Sequence, residues 1–483
     1  MSDKHPQTAC IIGGGMSGLI TGALLAKNGY KVTVLEKNHI IGGGLQSFRR
    51  GDAVFNTGMQ VLCGYDYAFK HFINYLELNK SNLDFSPVDF NAQEIIYLDE
   101  EHVYHLPKTR DRYETYLISH FPNQAEGIHQ LLDAIYEIGS FYDGFWPHTM
   151  NYHPAAVKYA MMSAKQLIEK HTSDNELRRL FEYAGMHVGH NLTFISALDF
   201  GMILNLYIDG GWRIAGGNIT LASELAESIK HKGGLIYNDC EVTKVHVTNK
   251  KISCIETVDG RQFVADIYVC AIPPKVFLSM TDGDVFRLST KERIVNDPND
   301  ISANICHIKL KHNQIKYSNS CIFIATEVKD DALPIYTSIL TPPSHNHGEW
   351  AETLEILEFT RSRYFEEWAK TKTGNRGEKY ELKKKEIGRQ MVDRASVYYP
   401  NLEDATEKIY IATPLTIRDF YANPNGAVYG QHGLNIPIKT KLENLYMTGQ
   451  AVRFNGLYGM AVTAQMTAET ILGKSLIDEI ANA

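Results

Sequence analysis

Between residues 8 and 36 the apolar positions fall into three blocks: a short run ending in Cys10-Ile-Ile12, a longer run of apolar and small residues from 16 to 26, and the alternating stretch Lys31-Val-Thr-Val-Leu-Glu36. Glycines separate the first two. The pattern predicts an apolar strand, a tight turn on glycines, a small-residue helix and a second strand, which is a βαβ unit. From about 65 to 212 the period changes to helical spacing with many aromatic residues. The most apolar of these stretches are Ser140-Phe-Tyr-Asp-Gly-Phe-Trp146-Pro147 and a helix expected over 157–168. Stripes of this kind usually pack a core; the other uses are the wall of a lipophilic tunnel or a cap that touches a membrane.

Glycines return in a loop expected over 209–218, and 221–232 reads as an amphipathic helix. Short strands follow. Residues 251–258 and 261–263, split by Asp259-Gly260, read as a hairpin with a type I′ turn. A buried strand within 265–274 is stopped by Pro273-Pro274, and 281–400 gives mixed strands and then a charged helical stretch over 364–399. Its Lys383-Lys-Lys385 run has acids interspersed around it and reads as a solvated face. The chain closes on a strand, Leu445-Tyr-Met447, a turn at Thr448-Gly449-Gln450 and a small-residue helix running to Leu472.

A chain of 483 residues exceeds one core of ordinary size, so two interleaved domains are expected. Hydrophobic residues at 44% and charged residues at 22% allow a large core and exclude broad disorder. The net charge of −8 tells against nucleic acid as a partner, because no basic stripe is present to release counterions. Seven cysteines, at 10, 63, 240, 254, 270, 306 and 321, include no C-x-x-C pair and fit reduced, buried thiols in an intracellular protein. No apolar run of about 18 residues lacks charges or several glycines, so a spanning helix is not expected; 194–208 comes nearest and carries Asp199. His187 and His190 lie three apart but lack a carboxylate or cysteine at ligand spacing, so no metal site is expected.

The chemistry concentrates at the first turn. Gly13, Gly15 and Gly18 hold the G-x-G-x-x-G spacing, with Met16 and Ser17 between, and Glu36 ends the next strand 18 residues past Gly18. Gly13 permits the turn, Gly15 lets a pyrophosphate approach the backbone, and Gly18 allows the helix to pack on the strand. Unpaired N–H groups and the positive helix end favour a diphosphate there. Glu36 suits adenosine ribose hydroxyls and repels a 2′-phosphate, so NADP is disfavoured at this first site. The acid-terminated strand and the missing cleavage site tell against a signal peptide. The Gly42-Gly43-Gly44 loop places a second segment along the ligand. Near the carboxy terminus Tyr458, Met460 and Ala461 open a second helix whose positive end suits the negative charge of a reduced flavin.

Taken together these segments resemble the phytoene desaturase, carotenoid isomerase and retinol saturase group of the FAD-dependent amine oxidase superfamily. The likeness rests on the first βαβ unit with Glu36-Lys37, Gly42-Gly43 and Ser47-Phe48, on Glu241-Val242, on Thr413-Pro-Leu-Thr416 with Tyr421, Gly426, Tyr429 and Gly430, and on Tyr446-Met-Thr-Gly449-Gln450 with Gly456-Leu-Tyr-Gly459. It covers roughly half of the chain. Where many relatives carry F-D-x-G-x-H, this chain has Phe55-Asn-Thr-Gly58-Met-Gln60, which lacks both the acid and the histidine.

The resemblance implies an α/β fold, with a Rossmann-like FAD-binding domain of glutathione-reductase type over 1–70, 213–280 and 405–483. A mixed α+β substrate or cap domain would cover 71–212 and 281–404. It implies FAD held by Gly13, Gly15, Met16, Ser17, Gly18, Glu36, Lys37, Gly43, Gly44, Val242, Gly449, Gln450, Tyr458, Met460 and Ala461, with NAD(P)H as a candidate external electron donor. The expected reaction is hydride transfer between flavin N5 and a carbon of a lipophilic unsaturated substrate, giving saturation, desaturation or isomerisation. Tyr429, Tyr207 and His187 are the candidates for handling a proton. The expected location is the cytoplasm, with peripheral membrane contact through the aromatic cap. Two other readings are open: an amine oxidase or protoporphyrinogen-oxidase-like enzyme using O2, disfavoured because no lysine motif for oxygen activation is recognisable, and a non-catalytic nucleotide-binding scaffold.

Overall fold

A computed structural model of the chain describes residues 7–58, 60–141, 154–326, 333–344, 348–429 and 436–483. Its centre is a five-stranded, all-parallel sheet in the order Leu235–Tyr237, Lys31–Leu35, Thr8–Ile12, Ile267–Cys270, Leu445–Met447. Alternate side chains serve opposite faces. Ile11, Val34 and Val269 pack against helices Met16–Lys27, Ile219–His231 and Gly456–Leu472, while Ile12, Leu35 and Tyr268 pack against the antiparallel strands Val242–Thr248 and Lys251–Thr257. A fully buried leucine such as Leu19, Leu24 or Leu221 contributes on the order of 2 kcal/mol by leaving water.

The second layer is a mixed seven-stranded sheet in the order Thr406–Ala412, Ile301–Leu310, Thr353–Arg361, Tyr336–Leu340, Cys321–Ala325, Glu94–Tyr97, Val103–Leu106. Among the described residues its one parallel pair joins Cys321–Ala325 to Glu94–Tyr97. One face is covered by the charged helix Glu378–Ala395 through Ile387, Met391 and Val392. The other carries helices that include Ala125–Ser140 and Ala197–Asp209, packed through Leu132, Ile135, Phe200 and Leu204.

Several expectations are corrected. The region 65–212 is not helical throughout: Phe85–Pro87, Glu94–Tyr97, Val103–Leu106 and Gly211–Ile214 are strands. Runs of three or four residues are too short to show a period, and Gly211–Ile214 emerges from the expected glycine loop because it pairs with Phe85–Pro87. The helix expected over 157–168 is two, Pro154–Ala160 and Ala164–His171, because Ser163 and Gln166 form a capping box that starts the second. Helix 364–399 likewise reduces to Glu378–Ala395 after a 3-10 segment, Ser362–Trp368; Gly374 and Gly377, both at positive φ, separate them. The Asp259-Gly260 hairpin forms, but only Gly260 has positive φ, and the Gly260 N–H donates to the Thr257 carbonyl at 2.9 Å. That is a type I turn with a glycine bulge rather than type I′.

Strand Thr406–Ala412, placed by the sequence in the segment 405–483, borders the seven-stranded sheet, so the sheets part nearer the end of helix Pro414–Tyr421. Most of the apolar stretch 140–147 lies outside the described residues. Among the described residues no helix is long and apolar enough to cross a membrane, all seven cysteines are free, and no cluster of His, Cys, Asp and Glu has the makings of a metal site.

Candidate functional site

The first turn is built as its residue types require. Gly13 takes φ 106°, a region that side chains avoid. A Cβ on Gly18 would lie 2.1 Å from the Gly13 carbonyl oxygen, so helix and strand meet backbone to backbone. On Gly15 a Cβ would meet nothing nearer than Gly43 Cα at 3.9 Å: this glycine faces open space. Gly15 also caps helix Met16–Lys27 without a side-chain hydrogen bond, and no acid stands in the first turn, so the N–H groups there are available to an anion. The second glycine segment is tied to the first by Gly42 N–H donating to the Gly14 carbonyl at 2.8 Å. Ser17 is buried, lines the cavity described below, and its hydroxyl has no protein partner among the described residues.

Glu36 is buried at the strand end. Its Oε2 accepts from Gly14 N–H at 2.8 Å and its Oε1 from Asn38 N–H at 2.9 Å. Each oxygen keeps a second lone pair for a ligand hydroxyl. Lys37, expected beside the cofactor, donates to the Asp419 carbonyl at 2.8 Å and so ties this strand end to helix Pro414–Tyr421. Val242 opens the strand next to this end.

One cavity of about 730 Å³ joins these parts. Its wall takes Gly13, Gly15, Met16, Ser17, Glu36 and Lys37 from the first unit and Gly43 and Gly44 from the second segment. Val242, Gly449, Gln450, Tyr458 and Met460 complete that half. Two expected cofactor residues are not in the wall. Gly18 and the fully buried Ala461 lie beneath it, in the packing of helices Met16–Lys27 and Gly456–Leu472.

Beyond the cradle the same cavity becomes apolar, walled by Val61, Met186, Met202, Ile203, Leu206 and Phe323. Tyr429, Tyr207 and His187 line this chamber, so the three candidates for proton handling are brought to one space. Burial pushes Tyr429 up to about 12, with the Tyr421 phenol adding to the effect. Tyr421, whose hydroxyl donates to the Thr57 carbonyl at 3.0 Å, is raised to about 12 by burial, partly offset by the Thr57 side chain. Tyr207 is raised well above the ordinary value by burial. All three stay protonated at neutral pH, able to donate and unable to act as bases.

The sign of the pH effect follows: a phenol raised in the fold favours its protonated form, so its contribution is complete below pH 10 and is lost as pH climbs toward 12. Urea midpoints measured across that range should therefore fall, and Tyr429→Phe should fall less steeply than wild type. Parallel profiles would remove Tyr429 from the account.

His187 is held on several sides. Its Nε2 lies 3.2 Å from Glu94 Oε1, its ring stacks on Tyr207 at 3.5 Å between centroids, and Tyr183 and Phe323 stand edge-on, each at 5.7 Å. His190 lies beyond the 3-10 segment, which ends at His187.

Glu94 escaped the sequence reading; the signal was an acid set beside Ile95-Ile96 in a run short enough to pass for part of a helix. The departure at Phe55-Asn56 also finds a role: Asn56 Oδ1 accepts from the Ser47 hydroxyl and from Asn218 N–H, each at 2.9 Å, and does not reach the cavity. Gln60, in place of the histidine, does line it, 3.4 Å from the Ser338 hydroxyl. Thr413-Pro-Leu-Thr416 proves to be a capping box at a helix start, and Gly430 lies outside the described residues.

Comparison with known proteins agrees with this geometry. The profile of the family described as flavin containing amine oxidoreductase matches residues 16–292. All-trans-retinol 13,14-reductase of Danio rerio is 23% identical, the match covering 97% of this chain and 86% of that one. Prolycopene isomerase 2 of an Oncidium hybrid cultivar, a chloroplast protein, is 24% identical over 95% of this chain and 80% of its own. Among solved structures an oxidoreductase from Methanosarcina mazei superposes with a TM-score of 0.69 at 13% identity, covering 97% of this chain and all of that one, and so shares the fold.

Proposed function

The chain belongs to the flavin-containing amine oxidoreductase family, and from that premise we propose that it moves a hydride between flavin N5 and a carbon of a lipophilic polyene or isoprenoid-like substrate. FAD, the cofactor that the family implies, fits the residues present. The Cβ-free approach at Gly15, the unpartnered Ser17 hydroxyl and the uncapped helix end suit its pyrophosphate, and Glu36 suits its ribose. When bound, FAD supplies two-electron hydride chemistry.

The observation that carries the substrate class is the continuity of the cradle with the apolar chamber. A reacting carbon there is held by dispersion contacts with Met202, Ile203 and Phe323 and kept dry by them, while Tyr429 and Tyr207 supply neutral donors. Relatives named for a retinol reductase and a prolycopene isomerase support a conjugated hydrocarbon chain as the reacting part. We assign cofactor binding to the segments around 1–70, 213–280 and the carboxy-terminal strand and helix, and substrate binding to the remainder. Met161 and Phe194, 82% and 59% exposed, stand on the cap near cavity-lining Asp199 and would meet a membrane from which such a substrate is drawn.

The test begins with the visible spectrum of the purified protein. The reduced enzyme is then mixed anaerobically with a polyene alcohol, and both flavin reoxidation and product are followed. A colourless protein that binds NAD and refuses FAD overturns the reading; rapid reoxidation in air with no reaction toward polyenes favours an oxidase instead. Glu36→Ala removes a ribose acceptor and leaves the Gly14 N–H without its partner. A ligand hydroxyl's hydrogen bond to a charged acceptor is worth about 1.5–3 kcal/mol, so the FAD dissociation constant measured by fluorescence should rise roughly tenfold to a hundredfold.

A further inference from the structure

We propose that Glu94 and His187 form the proton-delivering pair of the chamber: His187 gives a proton to the substrate carbon next to the one that takes the hydride, and Glu94 holds the imidazole in place for it. This rests on the functional reading above and assigns a residue, Glu94, that neither the sequence patterns nor the family motifs single out.

Glu94 sits on the strand Glu94–Tyr97, paired in register with Cys321, and is buried with His187 at side-chain exposures of 2% and 7%. A carboxylate in such a place needs partners. It has His187 Nε2 at 3.2 Å and the Tyr183 phenol close by. Tyr183 in turn lies 3.4 Å, oxygen to oxygen, from the Tyr113 hydroxyl. Among the other ionisable neighbours, burial pushes Tyr183, Tyr113 and Tyr207 up, as it does the thiols of Cys63 and Cys321, while Lys108 and Arg213, the latter donating to Cys321 Sγ at 3.1 Å, bring positive charge near the two thiols.

The ring cannot turn freely. Tyr207 covers one face, and Tyr183 and Phe323 close on its edges, so Nε2 stays committed to Glu94 and Nδ1 is left to carry the exchangeable proton. His187 and Tyr207 both line the cavity, while Glu94 does not. Glu94 is therefore a positioning residue, and His187 is the group that touches substrate.

For saturation of a double bond the step balances as follows. The π bond breaks and two C–H bonds form. One hydrogen arrives as hydride with its electron pair from the reduced flavin, previously reduced by a two-electron donor of the nicotinamide class. The other arrives as a proton from the His187 imidazolium, which becomes neutral and regains its proton from solvent between turnovers.

The experiment uses the full-length enzyme with FAD, wild type and the variants H187Q, E94Q and E94D. Each is reduced, mixed anaerobically with a polyene alcohol in normal and deuterated water, and followed by flavin reoxidation. Binding of the same polyene to flavin-free protein, read by fluorescence, and thermal melting are recorded alongside. Loss of a general acid typically costs about a hundredfold or more in rate, so H187Q should slow reoxidation by about that factor with binding changed less than about twofold. E94Q should slow it by about tenfold or more, E94D should recover part of the loss, and KM should stay near wild type. E94Q preserves side-chain shape, so it reports even if H187Q melts early. Turnover of either variant within about threefold of wild type overturns this inference while leaving the functional reading intact. A wild-type enzyme that binds FAD but never reacts with polyenes overturns the functional reading itself.

Discussion

Protein carrying Gly18→Ala is expected to purify without its yellow cofactor and with reduced stability. The added methyl carbon would sit 2.1 Å from the Gly13 carbonyl oxygen and 3.1 Å from the Ala271 side chain. The first of these is backbone directly after strand Thr8–Ile12, which is paired on both sides, and it is itself held by the Gly13 N–H donating to the Leu35 carbonyl, so the helix must back away. Overpacking of this kind costs about 1–3 kcal/mol and sometimes more, and here the displacement also moves the N–H groups at Gly15 and Met16 off the pyrophosphate position. The ratio of flavin to protein absorbance should fall to near zero, and the urea midpoint should drop. Gly15→Ala separates the two effects, since its Cβ points into open space: it should keep the wild-type midpoint while FAD binding weakens. If Gly18→Ala keeps both its colour and its midpoint, the close packing assigned to this turn is wrong.

Ile203→Trp should leave the protein yellow and stop its reaction with polyenes. Ile203 is half-buried in the chamber wall on helix Ala197–Asp209, whose core-facing residues Phe200 and Leu204 are untouched by the change. An indole there fills space that the substrate's hydrocarbon chain needs. A shift of about 1 Å at the reacting carbon is enough to cost on the order of a hundredfold in rate, so kcat/KM for a long polyene should fall by at least that much. Ile203→Ala should change it far less. Undiminished turnover by the tryptophan variant would place the substrate elsewhere in the cavity.

The cofactor half was legible because its requirements are local. A glycine where φ is positive, a glycine where backbones touch and an acid at a strand end each leave a mark at a fixed spacing, and Gly13, Gly18 and Glu36 stand where that spacing puts them. Ala461 shows the limit: small residues at a helix start serve packing as well as they serve a ligand, and the motif does not tell the two apart.

The substrate half was less legible because it depends on pairing between distant segments. Glu94–Tyr97 is four residues long and is a strand only because Cys321–Ala325 and Val103–Leu106 flank it. Glu94 meets His187 across 93 residues of sequence. The edge position of Thr406–Ala412 likewise follows from its partner Ile301–Leu310, and no pattern within the strand itself reveals it.

The order of strands in the parallel sheet has a bearing on how the protein is made. Leu445–Met447 pairs with Ile267–Cys270, and helix Gly456–Leu472 closes the wall around Tyr458 and Met460. A nascent chain therefore lacks one edge of its central sheet until residues 445–472 have left the ribosome. Until then the apolar strand Ile267–Cys270 has one edge without its partner, a state that invites aggregation or chaperone capture. Loading of FAD becomes a post-translational event, and a message cut short just before residue 445 should yield chains that are degraded rather than a shortened flavoprotein.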